Sequence, residues 1–237
     1  VYPRTLIVLE PGARATVIES YEAVSGRTLD IPVTEIVLRD ESALTHHRIV
    51  LESDDSCHIA TVAVEQARAS VYDSVAVNLG GRKVRNDINV HVHGERAETW
   101  LNGVSVGAGH QNLDNHTRLD HAVANCASFE IYKSVLKGEA QGVFNGKIFV
   151  YEDAQKTDAK QTSAGLLLSP RAGMNAKPQL EIFADDMRCT HGAKIGQLRD
   201  DALFYLQTRG IPRSQAEALL VYAFAAEVLS RITDEKL

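Results

Sequence analysis

Short runs of β-branched and apolar residues recur along roughly the first 197 positions, often alternating with polar ones. They fall at 5–9, 15–19, 35–38, 48–51, 59–64, 70–77, 88–93, 147–150 and 166–168. Such runs predict strands, because branched side chains pack well on a pleated, half-buried surface. Within 88–93, Ile88, Val90 and Val92 take one face while Asn89, His91 and His93 take the other. Before residue 198 only 128–136 carries a helix-compatible spacing, through Phe129, Tyr132, Val135 and Leu136, and the same residues also fit a strand pair. Alanines punctuate the runs at Ala13, Ala43, Ala67, Ala97, Ala127, Ala140, Ala154 and Ala176, at intervals of 13 to 30 residues. Short strands repeating at about that length predict a β-solenoid, with small residues at tight corners; a β-sandwich is the competing architecture.

The tail reads differently. Asp200 and Asp201 precede an apolar turn, Gly210 stands where a helix would stop, and Pro212 suits the first turn of the next helix. Ala216, Leu219, Leu220, Ala223, Phe224, Val228 and Ile232 then recur at helical steps. The expected organisation is a β-rich body over 1–197 and a helical segment over 198–237. That segment would cap the solenoid's open end, dock a partner, or both.

Charge and composition narrow the function classes. Of 237 residues, 44% are apolar and 24% charged, which excludes a disordered chain. Lys plus Arg is 25 and Asp plus Glu is 31, a net charge of −6, which argues against nucleic acid or an anionic membrane as partner. The longest apolar run, 218–226, falls well short of the roughly twenty residues a membrane-spanning helix needs. Cys57, Cys126 and Cys189 are odd in number with no paired spacing, so a reducing compartment is expected rather than a disulfide framework. The sequence opens at Val1 in strand-like text and reads as a fragment of a longer chain.

Several groupings carry candidate chemistry. Cys189 and His191 lie two apart, so an extended backbone puts both on one face; thiolate and imidazole together suit iron or zinc. Two ligands leave such a site incomplete. The simpler reading is a buried cysteine and a hydrogen-bonded histidine at a strand end. His91, His93 and Glu98 form a partial H-x-H-x₄-E that resembles the first metal motif of cupins, without the second motif; a metal-dependent enzyme of that kind is one alternative. The run 114–121, DNHTRLDH, is expected to be turn residues making local hydrogen bonds. Gly142 to Lys147 is one residue short of a phosphate-binding loop, and no nucleophile elbow appears.

The second half nevertheless resembles the SufB/SufD core family of iron–sulfur cluster assembly, and its SufD branch most. The ordered motifs are DNHTRLDH at 114–121, Tyr132-Lys133, VFNGK at 143–147, Gln155 to Asp158 with Gln161-Thr162, and KPQLEI at 177–182. Ala184-Asp185-Asp186, CTHGA at 189–193, LFYL at 203–206, Arg209-Gly210-Ile211 and AFAAE at 223–227 follow. The match is strong over about 90–232 and looser before, through 3–9. The resemblance implies a right-handed parallel β-helix with flanking helices, acting as a non-catalytic scaffold. It implies pairing with a SufB-like subunit, with a homodimer possible for the chain alone, and binding of the ATPase SufC, which would handle the ATP. A transient iron–sulfur cluster would be shared with the partner subunit and none held tightly by the isolated chain. SufB-like chains have Glu-His-Glu where Thr190-His191-Gly192 stand here; Cys-x-His-Gly is the SufD form. The family's role in holding the nascent cluster is carried onto His191, with Cys189 as a further candidate. The C-terminal helices are similar to the SufC-docking region, which makes Phe204, Tyr205 and Arg209 candidates for that contact. Ser128-Phe129-Glu130 departs from the family's usual Ser-Arg-Gln/Glu. Bacterial cytoplasm or plastid stroma is the implied location.

Overall fold

A computed structural model describes residues 1–23 and 25–232; residues 233–237 of the expected helical segment lie outside it. Fifteen strands precede two helices among the described residues. They are β1 (Arg4–Leu9), β2 (Arg14–Glu22), β3 (Leu29–Asp30), β4 (Val33–Leu38), β5 (Ala43–Leu51), β6 (Cys57–Gln66), β7 (Val71–Asn78) and β8 (Lys83–Val92). Then come β9 (Glu98–Gly107), β10 (Asn112–His121), β11 (Ala127–Leu136), β12 (Gln141–Val150), β13 (Asp158–Leu167), β14 (Gly173–Ile182), β15 (Arg188–Gln197), α1 (Asp200–Thr208) and α2 (Arg213–Leu229).

The strands alternate between two wholly parallel sheets. One runs β1-β4-β6-β8-β10-β12-β14, with β3 also on β6; the other runs β15-β13-β11-β9-β7-β5-β2. Each coil is therefore two strands and two corners, and each strand bonds to its counterpart one coil on. The coil length is nearly constant: Cys57 pairs with Lys83, a step of 83 − 57 = 26, and Gln141 with Gly173, a step of 173 − 141 = 32. The architecture is the expected parallel β-solenoid, and the sandwich alternative is excluded.

One corner explains how the chain turns from one sheet to the other. Gly12, Glu41, Ala69, Arg96, Asn125 and Lys156 all have positive φ and occupy equivalent places in successive coils. The next residue is small: Ala13, Ser42, Ser70, Ala97, Cys126 and Thr157. Ser42, Ser70 and Thr157 each donate a hydroxyl hydrogen bond to the carbonyl three residues back, tying the turn to itself. Of the punctuating alanines, most sit at or beside corners, but Ala176 lies within β14.

The lumen between the sheets is filled mainly by Leu, Ile and Val, with Tyr72, Tyr132 and Phe144 the largest fully buried rings. Tyr132 stacks on Phe144 at 4.9 Å. Its partner across the ladder is Gly103, where an added Cβ would lie 2.4 Å from the Tyr132 ring, so the absence of a side chain there makes room for the tyrosine. One expectation changes and two open readings are decided at this level. Residues 128–136, whose spacing fits a helix or a strand pair, form strand β11, and 114–121 belongs to strand β10 rather than a turn cluster. The helices do not close the solenoid's end. Instead α2 lies along the outer face of the second sheet, where Ala225 and Val228 cover Val75, Val77 and Val104. Lys133 pins it by donating to the Phe224 carbonyl at 2.7 Å and pairing with Glu227 at 2.7 Å.

Candidate functional site

Strand β15 is the last of its sheet. It bonds to β13 on one side, and its other edge has no partner among the described residues. All of it is exposed except Cys189, which is half-buried. Register fixes the side-chain directions. Cys189 pairs with Ala159, His191 with Gln161 and Ala193 with Ser163. Those three β13 residues are buried and point into the lumen, so Cys189 and His191 face inward at the coil where the lumen opens. Cys189 packs partly against the main core, and burial pushes its thiol pKa up. His191 is exposed. The pair therefore shares a face at an open edge, as the two-residue spacing requires. Two donors leave most of a metal's coordination sphere to come from another molecule.

Behind His191 an inward row continues through the sheet: His191 beside Gln161, Gln161 beside Glu130, Glu130 beside Leu101. Glu130 is wholly buried. Its Oε2 accepts from Thr117 Oγ1 at 2.9 Å and from Gln161 Nε2 at 3.0 Å, while Oε1 has no partner among the described residues. Burial, only partly offset by these two bonds, raises its pKa to about 7. Further along, Arg48 donates to Asn86, and Asn86 bonds Asn78 and Asn115, giving the lumen a polar stripe beside its apolar one. Sequence reasoning singled out none of these groups for chemistry. The available signal was the interval: 161 − 130 = 31 and 191 − 161 = 30, both one coil.

The remaining candidates separate. His91 and His93 stay together with rings 5.8 Å apart, but the carboxylate grouped with them is Glu65, not Glu98, which opens β9 in the other sheet. With every strand pair parallel, the cupin alternative is overturned. In the DNHTRLDH strand, His116 pairs with Asp114 at 2.9 Å on the outer face, while His121 points inward to Ser128 at 2.9 Å and burial lowers its pKa to about 4. Phe204 and Tyr205 are 68% and 57% exposed on α1, and Arg209 bonds the Tyr205 hydroxyl at 3.0 Å and stacks over its ring. All three cysteines are free thiols. No described helix is long and apolar enough to cross a membrane.

Comparison with known proteins gives this geometry a context. A family profile described as "SUF system FeS cluster assembly, SufBD core domain" matches residues 1–224. An iron–sulfur cluster assembly SufBD family protein of Synechocystis sp. is 38% identical over 98% of this chain and 53% of its own length. The iron–sulfur cluster assembly protein SufD of Escherichia coli is 34% identical over 97% of this chain and 54% of its own. The chloroplastic protein ABCI7 of Arabidopsis thaliana is 35% identical over 99% and 50%. The chain thus spans about half the length of these curated relatives. With the profile covering nearly all of a parallel β-solenoid that ends in a Cys-x-His strand, the chain belongs to the SufBD core family of iron–sulfur cluster assembly.

Proposed function

We propose that this chain is a SufD-like scaffold that pairs with a SufB-like subunit, binds a SufC-type ATPase, and lends His191 to a nascent iron–sulfur cluster at the subunit interface. The observation that carries the reading is the setting of β15: an exposed strand whose outer edge is unpaired among the described residues, carrying an accessible imidazole. An unpaired edge offers a row of backbone donors and acceptors to a neighbouring chain. A second subunit docked there would bring further ligands toward His191, completing a set that this chain only begins. Cys189, half-buried and with its thiol pKa raised, is the weaker ligand as it stands and would need the cluster's own iron to ionise it. Family membership supports the assembly role, and the exposed Phe204, Tyr205 and Arg209 on the helical flank are the surface offered to the ATPase. The β-solenoid is stiff because each coil hydrogen-bonds to the next. Movement of the ATPase subunits would therefore reach the interface as a rigid displacement, provided the nucleotide state favours one arrangement over the other.

The test is His191→Ala in the complete three-protein complex, purified anaerobically, with iron counted and the absorption spectrum recorded. Assembly should survive on a sizing column while cluster content falls several-fold. Unchanged cluster content would remove His191 from the mechanism and leave a purely architectural subunit.

A further inference from the structure

A second cluster of metal-ligating side chains stands apart from His191. Glu65 lies on β6, His91 opposite it on β8, and His93 one residue beyond that strand. One ligand atom from each of the three comes within 4.8 Å of the other two. Glu65 Oε2 and His93 Nδ1 are already 3.2 Å apart. That is close to the roughly 3.4 Å edge of a tetrahedron whose metal–ligand bonds are about 2.0–2.1 Å, so this pair already has the spacing of two ligands, and the His91 imidazole, within 4.8 Å of both, would turn toward them to close on an ion. The backbone holds the donors in place. Glu65 and His91 are locked by register, and the His93 amide bonds the Gln66 carbonyl at 3.1 Å. The nearby cation, Arg118, is already engaged by Asp120 through bonds of 3.0 Å, so its charge is largely neutralised. The cluster is on the outer face of its sheet, with β10, β12 and β14 between β8 and the sheet's end. It does not share the lumenal face of Cys189 and His191.

We propose that Glu65, His91 and His93 form a surface site for one divalent first-row transition ion, of the zinc or ferrous class. Two imidazoles and one carboxylate select such ions over calcium or magnesium, which prefer all-oxygen shells. Three protein ligands leave at least one coordination position to water or to a donor from another molecule, so the ion is held exchangeably. No catalysis is assigned to it.

The experiment uses the whole natural protein without a histidine tag. Zinc alone is titrated in competition with a chromogenic chelator, and ferrous ion is titrated anaerobically in parallel. One ion per chain is expected, with at least a tenfold loss of affinity in His91→Ala and in His93→Ala. His110→Ala, a histidine paired with Glu139 elsewhere, should bind as the parent does. Because the site is at the surface, circular dichroism should be the same for all variants. Two results overturn the proposal: affinity unchanged by His91→Ala and His93→Ala, or tight binding abolished by His191→Ala instead. The outcome is independent of cluster content in the complex.

Discussion

Glu130 offers the sharpest test of how the lumen is built. Replacing it with Gln keeps the size and leaves an amide oxygen to accept from Thr117 and Gln161, but abolishes ionisation. In the folded chain burial holds the carboxyl neutral up to about pH 7, against an ordinary value of 4.5. A folded pKa above the unfolded one means that the native state binds the extra proton between pH 4.5 and 7, so stability is full below that window and falls as pH rises through it. At about 1.4 kcal/mol per tenfold change, the penalty above pH 7 is on the order of 3 kcal/mol. His121 and His58, both lowered to about 4 by burial, act in the opposite sense below pH 6.5. Subtracting the parent profile from the variant's cancels them. Urea unfolding followed by circular dichroism and by the single tryptophan, Trp100, at pH 5, 6, 7 and 8 gives the difference directly. Glu130→Gln should be near neutral at pH 5 and more stable than the parent by about 2–3 kcal/mol at pH 8. A difference that stays constant across the range would refute a buried, proton-holding Glu130.

Other substitutions test the remaining joints. Gly103→Ala should cost about 1–3 kcal/mol by thermal unfolding, because its Cβ would press on the buried Tyr132 ring; a neutral result would mean the ring has room to move. Lys133→Met should remove the two polar contacts that pin α2, lowering stability by about 1–2 kcal/mol and exposing the helix to limited proteolysis; unchanged cleavage would show that apolar packing alone holds it. Arg96→Asn should stabilise by up to about 1 kcal/mol in the same assay, since Asn tolerates the left-handed backbone that Asn125 already adopts one coil later; destabilisation would contradict the corner's strain.

The solenoid was readable where inward positions are apolar. In β8 the inward residues Ile88, Val90 and Val92 preserve a clear alternation beyond Asn86, the one polar residue on that face. It was obscured where the lumen is polar. In β10 the inward side is Leu113, Asn115, Thr117, Leu119 and His121, which reads as a turn cluster once the period is lost. In β11 the pattern is nearly inverted: Ser128, Glu130 and Ser134 face the lumen. Phe129 stacks outside on Trp100 and Val135 is buried as well, so the apolar residues mimic a helix. Strand β15 has no burial period at all because its coil is open. Pairing of Cys189 with His191 on one face followed from their spacing, but the open edge beside them depends on the position of the coil in the stack. The replacement of Glu98 by Glu65 beside His91 has the same origin: the neighbour comes from the preceding coil, 91 − 65 = 26 residues away, and no local motif encodes it.

The most direct measurement is pulsed electron paramagnetic resonance on the assembled three-protein complex, with only this chain labelled with ¹⁵N-histidine and its cluster reduced. If the open edge of the solenoid lends an imidazole to the cluster, a strong ¹⁵N hyperfine coupling should appear and should vanish in His191→Ala. A paramagnetic cluster with no ¹⁵N coupling, or a coupling that survives that substitution, would contradict it.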